Sequence, residues 1–377
     1  LEILVIIALA LAIVHFGIPL SYYFIARRSW LPLPWRVKRD ESYRPKISII
    51  LPTYNEEKII EKRLDNIFSQ RYPRDLLELL IIDSSNDETV EKIEDWYRRH
   101  EGFPLKLMHE SERRGKAYAL NEALKISTGE IAVIADADAF WEEDALPEAI
   151  SWLSDASVGA VTCLKRPMND GSAKIEGSYR NYYNVMRLAE SKKFSTPIFH
   201  GELAAFRKDL LEKIGGFPTD IGSDDSHTAT MIAMNGYRSI APEGVLCSES
   251  VPEKGYGEWR IRRAQHLVQH FSRMLSHIGI APEGFRKILA IETYLHIFNP
   301  WLLIIAAGIL VYGALEGSSL SDLLLGSGLL LLLYSPYRTW VATQLYLMMG
   351  AVRNIWTKEI AWEKQEKYRK RTNEAIK

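Results

Sequence analysis

The sequence predicts an α/β fold: a mostly parallel sheet with flanking helices, set between N-terminal and C-terminal transmembrane helices and accompanied by an interfacial helix. Three observations carry this expectation. Short apolar runs alternate with helical periodicity through the middle of the chain. Clusters rich in Asp stand at the carboxyl ends of those runs. Apolar stretches of membrane-spanning length lie at both ends.

In chain order, residues 3–26 are almost wholly apolar, with His15 and Ser21 as the clear polar interruptions. A spanning helix needs about 20 residues. Arg27, Arg28, Arg36, Lys38 and Arg39 follow the stretch rather than precede it, which is the order of an anchor and not of a signal peptide. The positive-inside rule places that flank in the cytosol. Lys46–Leu51 then reads as a buried strand ending at Pro52, and Thr53–Glu57 as a turn. A helix over 57–70, with Ile59, Ile60, Leu64 and Ile67 on one side, is broken by Pro73. Leu77–Ile82 is the second strand and runs into Asp83-Ser84-Ser85-Asn86-Asp87. A helix over Thr89–His100 and a strand over Leu105–Met108 come next. Lys116–Ile126 is helical and closed by Gly129, Ile131–Ala135 leads into Asp136-Ala137-Asp138, and Val158–Leu164 is a fifth strand. Ligands of such sheets bind beyond the carboxyl ends of the strands. Thr53–Glu56, Asp83–Asp87 and Asp136–Asp138 all fall there.

Residues 260–290 are amphipathic, with Leu267, Phe271, Met274, Leu275 and Ile278 on one face. This segment either lies in the headgroup plane or packs on the soluble body. A second apolar stretch covers Ile297–Leu315, residues 316–322 form an external turn, and a third stretch covers Leu323–Ala351 with Pro336 inside it. Arg338 at that depth is either functional or sits at an interface where Pro336 interrupts the helix. The expected division is an anchor over 1–28, a cytosolic body over 29–258, a loop with amphipathic helices over 259–295, two transmembrane segments over 296–352, and a cytosolic tail over 353–377. Three crossings make the protein integral to the cell membrane, with body and tail in the cytosol.

Composition removes several classes. Lys and Arg number 47 against 48 Asp and Glu, for a net charge of -1, so no nucleic-acid partner is expected. Cys163 and Cys247 form neither a zinc cluster nor a disulfide framework and fit a reducing compartment. Pro52–Glu56 holds no glycine, which argues against a dinucleotide fingerprint or a P-loop. There is no Gly-x-Ser-x-Gly elbow, and His109 is isolated from any nucleophile.

The acidic clusters are the candidates for chemistry. Asp136 and Asp138 share a face of an extended segment, and their oxygens suit Mg²⁺ or Mn²⁺. Alternatively they are a charged loop with no ligand. Asp83 can bond a base or a ribose hydroxyl, or cap the helix that follows. Lys116 can pair with phosphates or be a solvated charge. Asp224 and Asp225 precede a helix over Ser226–Met234, either as caps or with an ionised carboxylate taking a proton from a hydroxyl.

In these residues the chain resembles the inverting family 2 glycosyltransferases, nearest their membrane-integrated branch of cellulose, chitin and hyaluronan synthases, over about Lys46–Arg273 and the flanking membrane segments. The resemblance implies a GT-A-like fold, makes 29–258 the glycosyltransferase domain, and implies sugar transfer from a nucleotide-sugar donor, UDP-linked, with a divalent metal (Mg or Mn) as cofactor. By it, Pro52, Tyr54 and Glu56 line the nucleotide pocket, and Asp83, with Asp87 nearby, reads uracil and ribose. Lys116 lies in a donor-side segment, Asp136 and Asp138 form the metal–diphosphate motif with Asp138 as the direct ligand, and Asp225 is the base with Asp224 its neighbour. His200, Gly201 and Glu202 look like the acceptor-side loop. Where the processive branch carries Gln-x-x-Arg-Trp, this chain has Trp259-Arg260-Ile261-Arg262-Arg263. Arg262 keeps the diphosphate clamp, Arg263 replaces the acceptor-stacking Trp, and Trp259 stands as a substitute platform. Gly255–Arg260 is expected to be a lid. Three spans are few for a polysaccharide channel, which oligomers would have to build. The expected acceptor is therefore a membrane lipid or lipid-linked glycan in the bilayer, receiving one or a few sugars. A polyprenyl-phosphate acceptor and processive synthesis are the alternatives.

Overall fold

The computed structural model describes residues 1–167, 173–249, 251–252 and 255–358. Its helices are α1 (Glu2–Ile25), α2 (Ile60–Phe68), α3 (Thr89–Arg99), α4 (Lys116–Ile126), α5 (Ala145–Trp152), α6 (Ala173–Lys193), α7 (Lys208–Lys213), α8 (Asp224–Met234), α9 (Tyr256–Met274), α10 (Glu283–Thr293), α11 (Asn299–Leu315), α12 (Ser319–Leu331) and α13 (Ser335–Arg353). Its strands are β1 (Ile47–Thr53), β2 (Leu77–Asp83), β3 (Leu105–His109), β4 (Ile131–Ile134), β5 (Ala139–Trp141), β6 (Val158–Thr162), β7 (Leu164–Pro167), β8 (Ala204–Arg207), β9 (Arg238–Ile240) and β10 (Leu246–Glu249).

The main sheet runs β3-β2-β1-β4-β8-β6-β9. β3, β2, β1 and β4 are parallel, β8 is antiparallel to β4 and β6, and β9 is parallel to β6. Both faces are covered, which is why β1 and β2 read as mainly apolar rather than alternating, their polar exceptions Ser48 and Glu78 being buried and hydrogen-bonded to each other. Ile47, Ile49 and Leu51 pack with Ile60 and Leu64 of α2 and with Ile93 and Trp96 of α3. Ile50, Leu80 and Ile82 pack on the other face with Leu120 of α4, Leu210 of α7 and Ile232 of α8. The parallel register puts Thr53 beside Asp83, so the polar clusters after β1 and β2 emerge together. The fifth strand ends sooner than expected. The chain leaves the main sheet after Thr162, and Leu164–Pro167 joins a second sheet of order β5-β10-β7. That sheet contributes Lys165 and Glu249 to the cleft described below.

Among the described residues, two helical stretches are long and apolar enough to cross a membrane, Glu2–Trp30 and Glu283–Leu315. His15, the polar interruption in the first, is fully buried. Its Nδ1 contacts the Asn299 carbonyl at 2.9 Å, and its Nε2 accepts from Trp340 Nε1 at 3.0 Å, so it joins α1, α11 and α13. The third apolar stretch is not one straight helix, because α12 and α13 meet at 103°. With 13 residues α12 reaches only about 20 Å. Pro336 lies in the first turn of α13, and Arg338 Nη1 donates to the Leu332 carbonyl at the exit of α12 at 3.2 Å. Arg338 thus caps the elbow, in line with the interruption reading. The cause of the bend is packing: α13 lies along α9, and Gly350 comes so close that a Cβ there would stand 2.6 Å from the backbone nitrogen of Gln265.

Two other expectations are corrected. In the amphipathic segment Phe271 and Met274 do not face headgroups, since they are buried with Ile198, Ala233 and Phe285. Leu275 and Ile280, in the turn after α9, are the exposed apolar residues there. The boundary at 258/259 and the lid over 255–260 both fall on the start of α9, which opens at Gly255 in the left-handed region and continues as regular helix. The expected tail lies from residue 359 onward outside the described residues.

Gly350→Ala is expected to cost about 1–3 kcal/mol by forcing α13 off α9. It should lower the thermal midpoint in detergent, whereas Gly308→Ala, with nothing within 4 Å of its Cβ position, should not.

Candidate active site

The carboxyl ends of β1, β2 and β4 open onto a cleft of about 350 Å³ that runs from the loop after β1 to α9 and α13. At its outer end, Asn55 takes a positive φ of 55°, a conformation Asn tolerates. Its N–H donates to Ser85 Oγ at 2.7 Å and its Oδ1 accepts from the Asn86 N–H at 2.9 Å. This turn holds Tyr54 with its ring under the Arg113 guanidinium, 3.6 Å away, and Pro52 and Glu56 beside it on the cleft wall. The residues expected to line a nucleotide pocket, Pro52, Tyr54 and Glu56, therefore share one cleft wall, and Arg113 joins them.

Asp83 does not join them as a free carboxylate. It is fully buried. Oδ1 accepts from the Ser85 N–H at 2.9 Å and lies 3.3 Å from His109 Nδ1, while Oδ2 accepts from Thr53 Oγ1 at 2.7 Å and Ser85 Oγ at 2.6 Å. With both oxygens occupied, its place is to lock the β1 and β2 loops together. His109, unassigned from sequence, is part of that lock.

At the centre of the cleft three elements meet around one ammonium. Lys116 at the start of α4 puts Nζ 2.7 Å from Asp136 Oδ1 and 3.8 Å from Asp224 Oδ2. Burial pulls its pKa down, but Asp136, Asp224 and Asp225 outweigh that effect and hold it above the usual lysine range. Burial raises Asp136 and Asp224 against the pull of Lys116. Asp225 is pushed up to about 6 by burial and by the neighbouring Asp224. Its Oδ1 accepts from the Ser226 N–H at 2.6 Å. A carboxyl of that pKa is suited to taking a proton near neutrality.

Gly201 belongs to this centre and not to a separate acceptor loop. A Cβ there would run into Lys116 Nζ and stand 3.2 Å from Asp136 Oδ2. Its neighbours His200 and Glu202 enter a buried ion network. Lys165 Nζ pairs with Glu202 and, at 3.0 Å, with Glu249, and Arg263 Nη2 reaches Glu202 Oε1 at 3.1 Å and Glu249 Oε1 at 2.8 Å. Burial, with Arg187, Lys165 and Arg263 nearby, keeps the His200 pKa well below its ordinary value. Arg263 also covers the Trp259 ring at 4.3 Å. Trp259 is fully buried, so it does not replace the missing acceptor platform. Arg262 lines the cleft as expected. Sequence reasoning missed Lys165 and Glu249, which lie in four-residue strands of mixed polarity that give no local signal.

For a divalent cation the donor set is hard oxygen, from Asp136 and Asp138 on the cleft wall. Among the described residues, no group of three or more His, Cys, Asp or Glu is placed to hold a metal unaided. That fits an ion sharing its coordination with substrate phosphates, and the ammonium already seated on Asp136 marks a site built for positive charge. The cleft lining includes Asp136, Asp138, Asp224 and Asp225 with Lys116 among them, and Arg180, Arg187, Arg262 and Arg263, the last paired with Glu202 and Glu249.

A family model described as Glycosyl transferase family 2 matches residues 48–215. The poly-beta-1,6-N-acetyl-D-glucosamine synthase of Staphylococcus epidermidis is 29% identical over 250 residues, covering 65% of this chain and 60% of that protein. The synthase of the same name from Staphylococcus aureus is 29% identical over 225 residues, 58% of this chain and 54% of that protein. The chain thus spans 60% or less of the length of these curated relatives. Among solved structures, a mannosyltransferase from Pyrobaculum calidifontis in complex with GDP-Man and Mn²⁺ is 54% identical. It superposes with a TM-score of 0.88 over 94% of this chain and 99% of that one.

Gly201→Ala is expected to push the Lys116 ammonium off Asp136 without disturbing the cores. Turnover should fall on the order of 100-fold at an unchanged thermal midpoint, and unaltered turnover would show that the Gly201 contact has no catalytic weight.

Proposed function

The chain belongs to glycosyl transferase family 2, and from that premise we propose that it is an inverting, metal-dependent mannosyltransferase that moves mannose from GDP-mannose to a hydroxyl of a membrane lipid or lipid-linked glycan at the cytosolic membrane face. The observation that carries the reading is the meeting of Lys116, Asp136, Asp224 and Asp225 in one cleft that ends against α13. The donor is taken from the relative that is 54% identical and whose structure is in complex with GDP-Man and Mn²⁺. A UDP-linked donor, implied by the sequence resemblance, is the competitor. The basic residues flanking α1, beginning with Arg27 and Arg28, support the cytosolic orientation.

The base of the nucleotide occupies the end of the cleft near Tyr54 and Arg113, and the diphosphate extends toward Asp136 and Asp138. When bound beside Asp138 and Asp136, a divalent ion supplies charge neutralisation for the departing diphosphate. Arg262 adds positive charge from α9. Asp225 accepts the proton of the acceptor hydroxyl, whose oxygen bonds to the anomeric carbon on the face opposite the nucleotide. The bond to the diphosphate breaks, and configuration inverts. Addition of one or a few sugars, rather than a polymer, fits Arg263 being drawn into the network with Glu202 and Glu249 where a stacking Trp would serve a growing chain.

A second reading is favoured by the arginines that line the cleft. Arg180 and Arg187 suit an anionic acceptor group such as a polyprenyl phosphate. A phosphate oxygen needs no base, which separates the two readings.

Asp225→Asn is expected to lower turnover by about 100-fold or more with nucleotide binding intact, and near-normal turnover would favour the phosphate acceptor. Because Asp225 acts ionised, wild-type turnover should rise with pH through about 6, and this acid limb should vanish in the variant. Nucleotide release from GDP-mannose should exceed release from UDP-sugars, should stop on chelation of divalent ions, and should be lost in Asp138→Asn. A clear preference for a UDP-sugar would overturn the donor assignment.

A further inference from the structure

One side chain of α9 joins the loop ahead of the base to the exit of α13. Gln269 is buried, and both ends of its amide are engaged. Its Oε1 accepts from the Gly222 N–H at 2.8 Å, and its Nε2 donates to Asn354 Oδ1 at 2.9 Å and to the Lys358 carbonyl at 3.0 Å. The partners leave no choice of orientation, since a backbone N–H must face the oxygen and a carbonyl the nitrogen. Gly222 stands three residues before Asp225, and the lysine and asparagine partners stand just beyond α13.

Neighbouring residues of α9 reinforce both sides. On the loop side, a Cβ at Gly222 would run into the His266 ring, and Arg273 Nη1 pairs with Asp220 Oδ1 at 3.1 Å. On the α13 side, Gln265 Nε2 donates to the Thr357 carbonyl at 2.5 Å, and Gly350 lies against the Gln265 backbone. Ser223 makes no side-chain cap bond at the start of α8, so these α9 contacts are what ties down the loop over 220–223. Asp225 is thus set from two sides, by the bonds of Ser226 to Phe199 within the body and by the α9 contacts that fix Gly222.

We infer that Gln269 is a positioning residue that sets the register of Asp225 against the exit of α13, so that the seating of α13 beside the membrane segments reaches the proton-accepting carboxylate through one amide. The inference rests on the reading of Asp225 as the base. Gln269 touches neither the Tyr54 end of the cleft nor the Asp136–Asp138 pair, so its effect is on the chemical step and not on donor binding.

The test uses the full chain in detergent or vesicles, with kcat, donor KM and the pH profile read for four variants. Gln269→Met keeps the volume and removes the bonds. It should lower kcat about 10-fold, leave donor KM within about twofold, and displace the acid limb of the pH profile. Gln269→Glu keeps an acceptor for Gly222 and should recover part of the loss. Asn354→Ala acts only at the far end, outside the cleft, and should lower kcat in the same direction by about threefold. Asp225→Asn is the reference for the base. If it is inactive while Gln269→Met has wild-type kcat and acid limb, the positioning role is overturned alone. Wild-type turnover in both overturns the base assignment as well. Proportional loss of kcat, donor affinity and thermal stability in Gln269→Met would reduce the residue to a structural one and overturn the inference.

Discussion

The ammonium of Lys116 is the constraint around which the catalytic body is arranged. Three carboxylates, from the loop after β4 and the start of α8, are gathered where burial raises the cost of every negative charge. Without a cation among them they could not share one cleft. The sheet supplies the geometry: β1 and β4 end side by side, α4 begins across from them, and Gly201 leaves the space the ammonium needs. One ammonium against three carboxylates leaves an acidic excess, so the centre is suited to further positive charge.

The parts legible in the sequence are those written in contiguous residues. β1, β2 and β4 were readable as mainly apolar runs because helices cover both faces of the sheet, and α4 fell where the periodicity put it, Lys116–Ile126. Asp136-Ala137-Asp138 and Asp224-Asp225 stood out because they follow a strand and open a helix. Strands β5, β7, β9 and β10 did not stand out. They are three or four residues long, and their conformation is chosen by the partner they pair with, which local propensity does not encode. The network of Lys165, Glu202, Glu249 and Arg263 was invisible for a related reason, since its members are widely separated along the chain. Asp83 shows the limit most sharply. Its position at a strand end was readable, but whether its oxygens face a ligand or the neighbouring Thr53 and Ser85 depends on partners that only the folded loops supply.

The membrane segments show the same division. Hydropathy found α1 and α11 but read α12 and α13 as one stretch, because a window of apolar residues does not register a turn. Pro336 opens the new helix and Arg338 caps the elbow, while close packing through Gly350 commits α13 to α9 and so sets the bend. His15, an oddity in an apolar run, becomes intelligible as the polar pin between three helices.

That fold-back of α13 bears on how the molecule can be divided. Thr343, Tyr346 and Leu347 belong to the cleft wall as much as Tyr54 does. The hydrophobic C-terminal third is thus architecture for the reaction and not a mooring from which a water-soluble enzyme can be cut free. A fragment ending before α11 would retain the sheet and the acidic centre, yet one side of its substrate chamber would stand open to solvent.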